Sequence, residues 1–371
     1  METEELTPPV PAPARHSLVQ YFGLGVSLLA GFSWVVQSKA SLSGFWSLPL
    51  GVFQTELTIL SLVGSLLGGL YFRKKIFGLL LLLNLFILLS SYSLSLSKES
   101  KGIAVLSWNV SGTNKLTEIQ EEKLPCLVDY LSEWTKDSDR QFIFLQEVPK
   151  SQKKLFEEAL EMNCSWSHYL CESDNCNGLL FCADQEWKIN RQRQRPFHSG
   201  QRYGFQQLEL EDKSSGQKIN ALNLHLESLW RTFSSLPNIK RFGTMSEIVR
   251  SNPDPKLLLQ ALEENAKNQR AEIDELLGVL NQLQDPILLA GDFNSPPSLW
   301  FHRYLRREYQ DAYIKTGNGF GHTTSRLDFL QMRVDYLYAS EELSWTGNSG
   351  VNYQTHCSDH FPLQSFFSWG D

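Results

Sequence analysis

Several common protein classes are excluded by what this sequence lacks. It has no internal repeat and no low-complexity tract, so it is not a solenoid or a propeller. It has no Cys/His arrangement at zinc-site spacing, and no cysteine before Cys126. From residue 101 onward it carries 28 Lys and Arg against 36 Asp and Glu. No basic stripe of the kind that tracks a nucleic-acid backbone is evident. The first apolar run is followed by no clear small-residue cleavage site, which counts against a signal peptide.

What the first hundred residues do contain is apolar. Residues 1–16 are polar and Pro-rich and read as disordered. Three apolar runs follow, at 17–36, 45–72 (interrupted by Glu56) and 76–96. Each is long enough for a hydrocarbon core of about 30 Å. Residues 17–98 therefore read as a membrane domain of three transmembrane helices. Arg73, Lys74 and Lys75 lie between the second and third runs. The positive-inside bias puts them in the cytoplasm. The N-terminus is then cytoplasmic, and residues 101–371 are periplasmic or extracellular.

All six cysteines belong to that second part, which suits an oxidising compartment. Two strands around a turn at 172–175 would place Cys171 near Cys176 and Cys164 near Cys182, since opposed residues in a hairpin keep a constant index sum. Four unpaired strand cysteines are the plainer alternative. Strands near 103–108, 142–146, 205–210, 219–224, 287–290, 334–338 and 363–367 alternate with helices near 116–134, 151–162 and 257–283. That pattern predicts a layered α/β domain. Residues 227–256 form a long connection with an apolar residue near every third position. It reads as a helix or two on the domain, or as a cover facing substrate or membrane.

The chemistry sits where predicted strands stop. Five segments carry it: Ser107-Trp108-Asn109-Val110, Leu145-Gln146-Glu147-Val148, Asn223-Leu224-His225-Leu226, Gly291-Asp292-Phe293-Asn294-Ser295 and Ser358-Asp359-His360-Phe361. Their side chains are oxygen donors and two histidines. Hard oxygen donors select magnesium, manganese or calcium. Histidine with carboxylate can move protons and stabilise a transferring phosphoryl group.

These segments, with Arg333-Val334-Asp335-Tyr336-Leu337-Tyr338 as a sixth, resemble the endonuclease/exonuclease/phosphatase superfamily in its own order across residues 101–368. The resemblance implies a four-layer sandwich of two mixed β-sheets flanked by helices, the deoxyribonuclease I-like fold, here in a membrane-anchored bacterial-type member. It implies roles too. Asn109, Glu147 and Asp359 would lie at a Mg2+ site (Mn2+ or Ca2+ in its place), and Asp292 and Asn294 would orient water and phosphate. His360 would be the catalytic histidine held by Asp335, and His225 the second histidine. Arg202 and Tyr203 fall where some relatives contact phosphate. His302 and the remaining histidines match no motif and read as surface or loop residues.

The expected activity is hydrolysis of a phosphate ester by in-line water attack. The substrate would be a lipid headgroup, a nucleic acid or a nucleotide, with the bilayer as the other partner; no protein partner is indicated. An extracellular or periplasmic endonuclease and a catalytically silent binding module on the same fold are the alternatives. Retention of all eight motif side chains argues against the silent one.

Overall fold

The computed structural model describes residues 24–33, 54–72, 75–90, 92–95, 101–110, 118–167, 177–197, 204–228, 254–284, 286–327 and 330–370. Two compact units divide the chain, one built from residues 1–34 and 54–89 and one from 35–53 and 90–371.

In the first unit residues 24–33 are helical, followed by α1 (Gln54–Phe72) and α2 (Lys75–Ser90). Among the described residues no helix is long and apolar enough to cross a membrane. The three expected transmembrane helices are therefore not borne out. Among the described residues, helix spans 24–33, 54–72 and 75–90 along these apolar runs. α2 has 16 residues, which rise about 24 Å at 1.5 Å each. The polarity of this unit is nevertheless inverted. Ser27, Ser61, Ser65 and Asn84 are buried, while Leu28, Phe32, Leu60, Leu79, Leu82 and Phe86 are exposed. Ser61 Oγ donates to Ser27 Oγ at 2.6 Å, and Ser27 and Ser65 hydroxyls meet at 3.2 Å.

The second unit is the expected four-layer sandwich. Sheet one has the strand order β13-β14-β1-β2-β4-β3 and sheet two the order β5-β6-β7-β8-β12-β9. In sheet one these are β1 (Ile103–Asn109), β2 (Gln141–Pro149), β3 (Asn163–Ser167), β4 (Asn177–Ala183), β13 (Leu343–Val351) and β14 (Leu363–Trp369). In sheet two they are β5 (Trp187–Pro196), β6 (Gly204–Asp212), β7 (Lys218–His225), β8 (Ile287–Asp292), β9 (Gln310–Asp311) and β12 (Asp335–Ala339). β10 (Thr324–Leu327) and β11 (Leu330–Met332) form a separate hairpin. β1–β2 and β7–β8 are parallel pairs at the sheet centres. Both faces of these strands are largely covered, which is why β1, β2 and β8 read as apolar runs, whereas Asn220 and Asn223 interrupt β7. β1 is buried at all seven positions.

Three apolar layers hold the domain. Phe142, Phe144, Phe181, Leu208, Leu288 and Phe367 fill the space between the sheets. Sheet one is covered by α3 (Glu118–Trp134) and α4 (Lys153–Leu160) through Leu127, Leu131 and Phe156. Sheet two is covered by α5 (Pro255–Leu280) and α6 (Trp300–Glu308) through Ile273, Leu276, Phe301 and Leu305. A short α7 (Ala312–Thr316) follows β9. Towards one end the apolar filling gives way to amides. Gln146 Nε2 donates to Asn223 Oδ1 at 2.8 Å, and Asn223 Nδ2 donates to the Leu145 and Leu180 carbonyls. The sheets are tied there by hydrogen bonds whose loss would leave buried polar groups unpaired.

The hairpin register holds at Cys164↔Cys182, and those two form a disulfide. Cys171 and Cys176 lie outside the described residues, as does most of the connection at 227–256. A second bridge, Cys126–Cys357, was not anticipated. Nor was β5, whose outer half bears exposed Arg191, Arg193 and Arg195. A local basic row therefore exists on the edge of an otherwise acidic domain.

Candidate active site

Four strand ends, a bulge in β2 and a loop converge at one end of the sandwich. β1 delivers Asn109, β2 Glu147, β7 His225 and β8 Asp292. β12 runs the other way, so Asp335 is its first residue and pairs in register with Asp292. His360 comes from the loop between β13 and β14. Parallel pairing of β7 with β8 sets His225 directly beside Asp292.

That closeness depends on Gly291. A Cβ there would lie 2.1 Å from the Leu224 carbonyl oxygen, and its φ is +144°. Glu147 is not at a strand end as expected. It occupies a register shift inside β2 and adopts φ 61°. A bulge re-aims a side chain, and a left-handed non-glycine costs on the order of 1–3 kcal/mol that surrounding structure must offset. Asn294 also has positive φ, at 47°. Its N–H donates to Asp292 Oδ1 at 2.8 Å and its Nδ2 to the Leu226 carbonyl at 2.8 Å. The turn thus fixes Asp292 while leaving Oδ2 for the centre.

Asp292 Oδ2 is the hub. Asn109 Nδ2 donates to it at 2.9 Å. His225 Nε2 lies 3.6 Å away and His360 Nε2 3.9 Å. On its far side His360 meets Asp335 Oδ2 through Nδ1 at 2.9 Å. Asp335 is held by its own N–H, which donates to Thr323 Oγ1 at 3.0 Å. The buried Arg333–Asp311 pair (2.8 Å) anchors the chain just before it. Glu147, a quarter exposed, sits at the mouth, with Oε1 3.8 Å from His225 Nε2 and 3.2 Å from Asn109 Nδ2.

Burial raises the pKa of Asp292, and repulsion from Asp335 adds to this; His360, His225 and Asn109 act against it. For His360 burial alone would lower the pKa. Attraction to Asp335 and then Asp292 outweighs it and carries the imidazole up to about 10. The centre therefore pairs a carboxylate of raised basicity with an imidazolium.

Among the described residues Asp292, Asp335 and His360 bring ligand atoms within 4.8 Å of one another and could hold a metal ion. Asn109 and Glu147 adjoin this group. Asp359 lies near enough for its charge to raise His360. These donors are oxygens and imidazole, with no thiolate, so they fit a hard divalent cation. Arg202 and Tyr203 lie outside the described residues.

The Endonuclease/Exonuclease/phosphatase family matches residues 237–360. Solved structures match over 72% of the chain. A Bacteroides vulgatus endonuclease/exonuclease/phosphatase has a TM-score of 0.53 at 12% identity, covering 72% of this chain and 99% of that one. A Bacteroides thetaiotaomicron mannosyl-6-phosphatase gives 0.51 at 15%, covering 72% and 100%. The human Nocturnin catalytic domain gives 0.50 at 17%, covering 72% and 93%. The fold is that of the endonuclease/exonuclease/phosphatase family. No curated protein matches the sequence itself.

One histidine was misread. His302, expected at the surface or in a loop, is fully buried on α6 behind the Gly291-Asp292-Phe293-Asn294 turn. Its Nε2 meets Ser295 Oγ at 3.0 Å and its Nδ1 meets Tyr338 Oη at 2.8 Å. The ring stacks on Tyr336 at 4.0 Å. The recoverable signal was its place between Phe301 and Leu305 on one helix face. Burial, with Arg306 and Arg333 adding repulsion, lowers its pKa well below the usual value. The folded protein therefore keeps His302 neutral while the unfolded chain protonates near pH 6.5. Stability from this group is present above that pH and lost as pH falls through it. Between pH 7.5 and 5.5 the loss is about 1.4 kcal/mol. In urea titrations His302→Gln should show a correspondingly smaller drop over that interval; an equal drop would contradict a neutral His302.

Proposed function

We infer that the protein is a hydrolase acting on phosphate esters, and we propose that it is a divalent-metal-dependent phosphoesterase anchored to a membrane. The observation that carries the reading is the Asp292 carboxylate set between two imidazole Nε2 atoms, one of them charged through Asp335. Asp292 accepts the proton of the attacking water. His360 donates from Nε2 to the phosphoryl group as charge builds, and Asp335 keeps its ring oriented and protonated. His225 supports the same charge from β7. Glu147, with Asn109 beside it, would hold the metal, which when bound neutralises the developing charge on phosphoryl oxygens.

Chelator in excess should abolish hydrolysis of a chromogenic phosphodiester, and added Mg2+ should restore it. Glu147→Gln should need more metal for half-maximal rate. Undiminished turnover in chelator would sink the metal role. A panel of phospholipid, oligonucleotide, nucleotide and sugar phosphate identifies the ester class; no turnover of any of them by the metal-loaded protein would sink the enzymatic reading.

The membrane proposal is supported by the inverted polarity of the first unit, with serines inside and leucines outside. Apolar surface of that kind marks a lipid or protein contact, and inward serines suit helices in an apolar medium. The positive-inside bias at basic residues 73–75 favours a non-cytoplasmic second unit. Protease added to intact spheroplasts should digest the second unit. Release of the chain from membranes by alkaline carbonate would contradict the anchor, and protection until permeabilisation would reverse the orientation.

A further inference from the structure

The two disulfides of the described domain differ in a way that bears on the site. Cys164–Cys182 joins neighbouring strands of sheet one, and both residues are buried. Cys126–Cys357 joins residues 231 positions apart. Cys357 immediately precedes Ser358-Asp359-His360, the segment that carries the catalytic imidazole. It is buried among Trp108, Val110, Leu127 and Leu131. Cys126, on α3, is exposed. It follows Pro125, which lies inside the helix and has no N–H for it. Cys126 is thus an exposed residue, while Cys357 is buried at the base of the loop. Exposed disulfides are the labile ones; buried ones resist exchange.

Besides the His360–Asp335 contact, hydrogen bonds and a ring contact hold this loop: Thr324 Oγ1 donates to the Asp359 carbonyl at 3.2 Å, and Tyr353 meets Phe361 edge-on at 5.2 Å. Trp108 Nε1 donates to the His360 carbonyl at 2.8 Å, Ser358 Oγ donates to the Asn109 carbonyl at 2.8 Å, and Phe361 N–H donates to the Thr323 carbonyl at 2.7 Å. Trp108 in turn packs edge-on against Tyr130 of α3 at 5.2 Å. α3 therefore supports the loop through an aromatic contact, a hydrogen bond from Asn352 Nδ2 to Tyr130 Oη at 3.4 Å and a covalent bond.

The geometry points to Cys126–Cys357 as a redox-sensitive positioning device for His360. This rests on the phosphoesterase reading above. A dithiol reductant attacks at exposed Cys126, forming a mixed disulfide and releasing the Cys357 thiolate. The second thiol of the reductant then displaces Cys126 and leaves as a cyclic disulfide. Two electrons and two protons pass to the bridge, which becomes two thiols. The loop then keeps its hydrogen bonds and ring contacts, and the His360–Asp292 spacing loses its covalent stop.

The test uses the full chain, assayed oxidised, after dithiol treatment and after reoxidation, on whichever phosphoester it turns over best. Reduction should lower kcat by roughly 10-fold to 10²-fold, the scale of an ångström-level misplacement, with KM within about 2-fold. Reoxidation should restore it. Cys126→Ser should hold kcat at the reduced level and no longer respond, which isolates this bridge from the other cysteines. Cys164→Ala/Cys182→Ala should retain the oxidised rate and the response. Hydrogen exchange gives a readout independent of activity. Amides of residues 352–361 should exchange at least 10-fold faster once reduced, while those of β8 do not change. Equal kcat and equal loop exchange with both thiols shown free by peptide mapping would overturn the proposal. So would faster exchange throughout β1 and β8, which would make the bridge a general staple. If neither redox form hydrolyses any ester, the phosphoesterase reading fails, and the exchange result alone decides whether the bridge positions the loop.

Discussion

Asp292→Asn is expected to lower turnover by roughly 10²-fold or more, the scale for loss of an acid/base or electrostatic group. The carboxylate is buried, accepts from Asn109 and faces two histidines. The amide keeps its shape and removes its basicity. His360→Ala should fall by a similar factor. Asp335→Asn should act through His360, because Asp335 Oδ2 meets only the side of the ring away from Asp292. The double variant Asp335→Asn/His360→Ala should then be little slower than His360→Ala alone. A kinetic cycle with additive effects would show that the pair does not act as a unit.

The second large effect concerns the backbone. Gly291→Ala forces a Cβ against the Leu224 backbone at 2.1 Å, in a conformation at φ +144°. Neither β7 nor β8 can yield without disturbing a parallel pair at the centre of sheet two. The expected destabilisation is about 3 kcal/mol or more, in the range reserved for strain in a closed core. Gly216 is the control. Its φ is also positive, at +72°, but a Cβ there meets nothing within 4 Å. Gly216→Ala should cost only about 1–2 kcal/mol from the left-handed conformation. Denaturant midpoints compare the two directly, and equal losses would show that the contact with Leu224 contributes nothing.

Most motif residues were legible because Asn109, His225, Asp292 and Asp335 sit at the ends of buried strands, where a polar side chain has no packing reason to be. These four converge with His360. Glu147 was found for the right residue and the wrong backbone, since a bulge leaves no trace in apolar alternation. β5 escaped because Arg191 to Arg195 alternates arginine with glutamine and shows neither a buried nor an apolar face. β13 escaped because Gly347 and Gly350 interrupt its alternation. Cys126 and Cys357 are too far apart in sequence for any local register to pair them. His302 was hidden by its chemistry, as a neutral imidazole satisfied on both nitrogens substitutes for an aromatic core residue.

The arginines of β5 have a consequence for how copies of the chain meet. β5 is one of the two outer strands of sheet two, and an outer strand offers backbone groups to any strand that approaches. Here the approaching strand of a second copy would bring Arg191, Arg193 and Arg195 against their equivalents. Like charges opposed across a strand pair are unfavourable. Sheet two therefore repels its own continuation at this margin, and crowding the protein should not extend it into a filament.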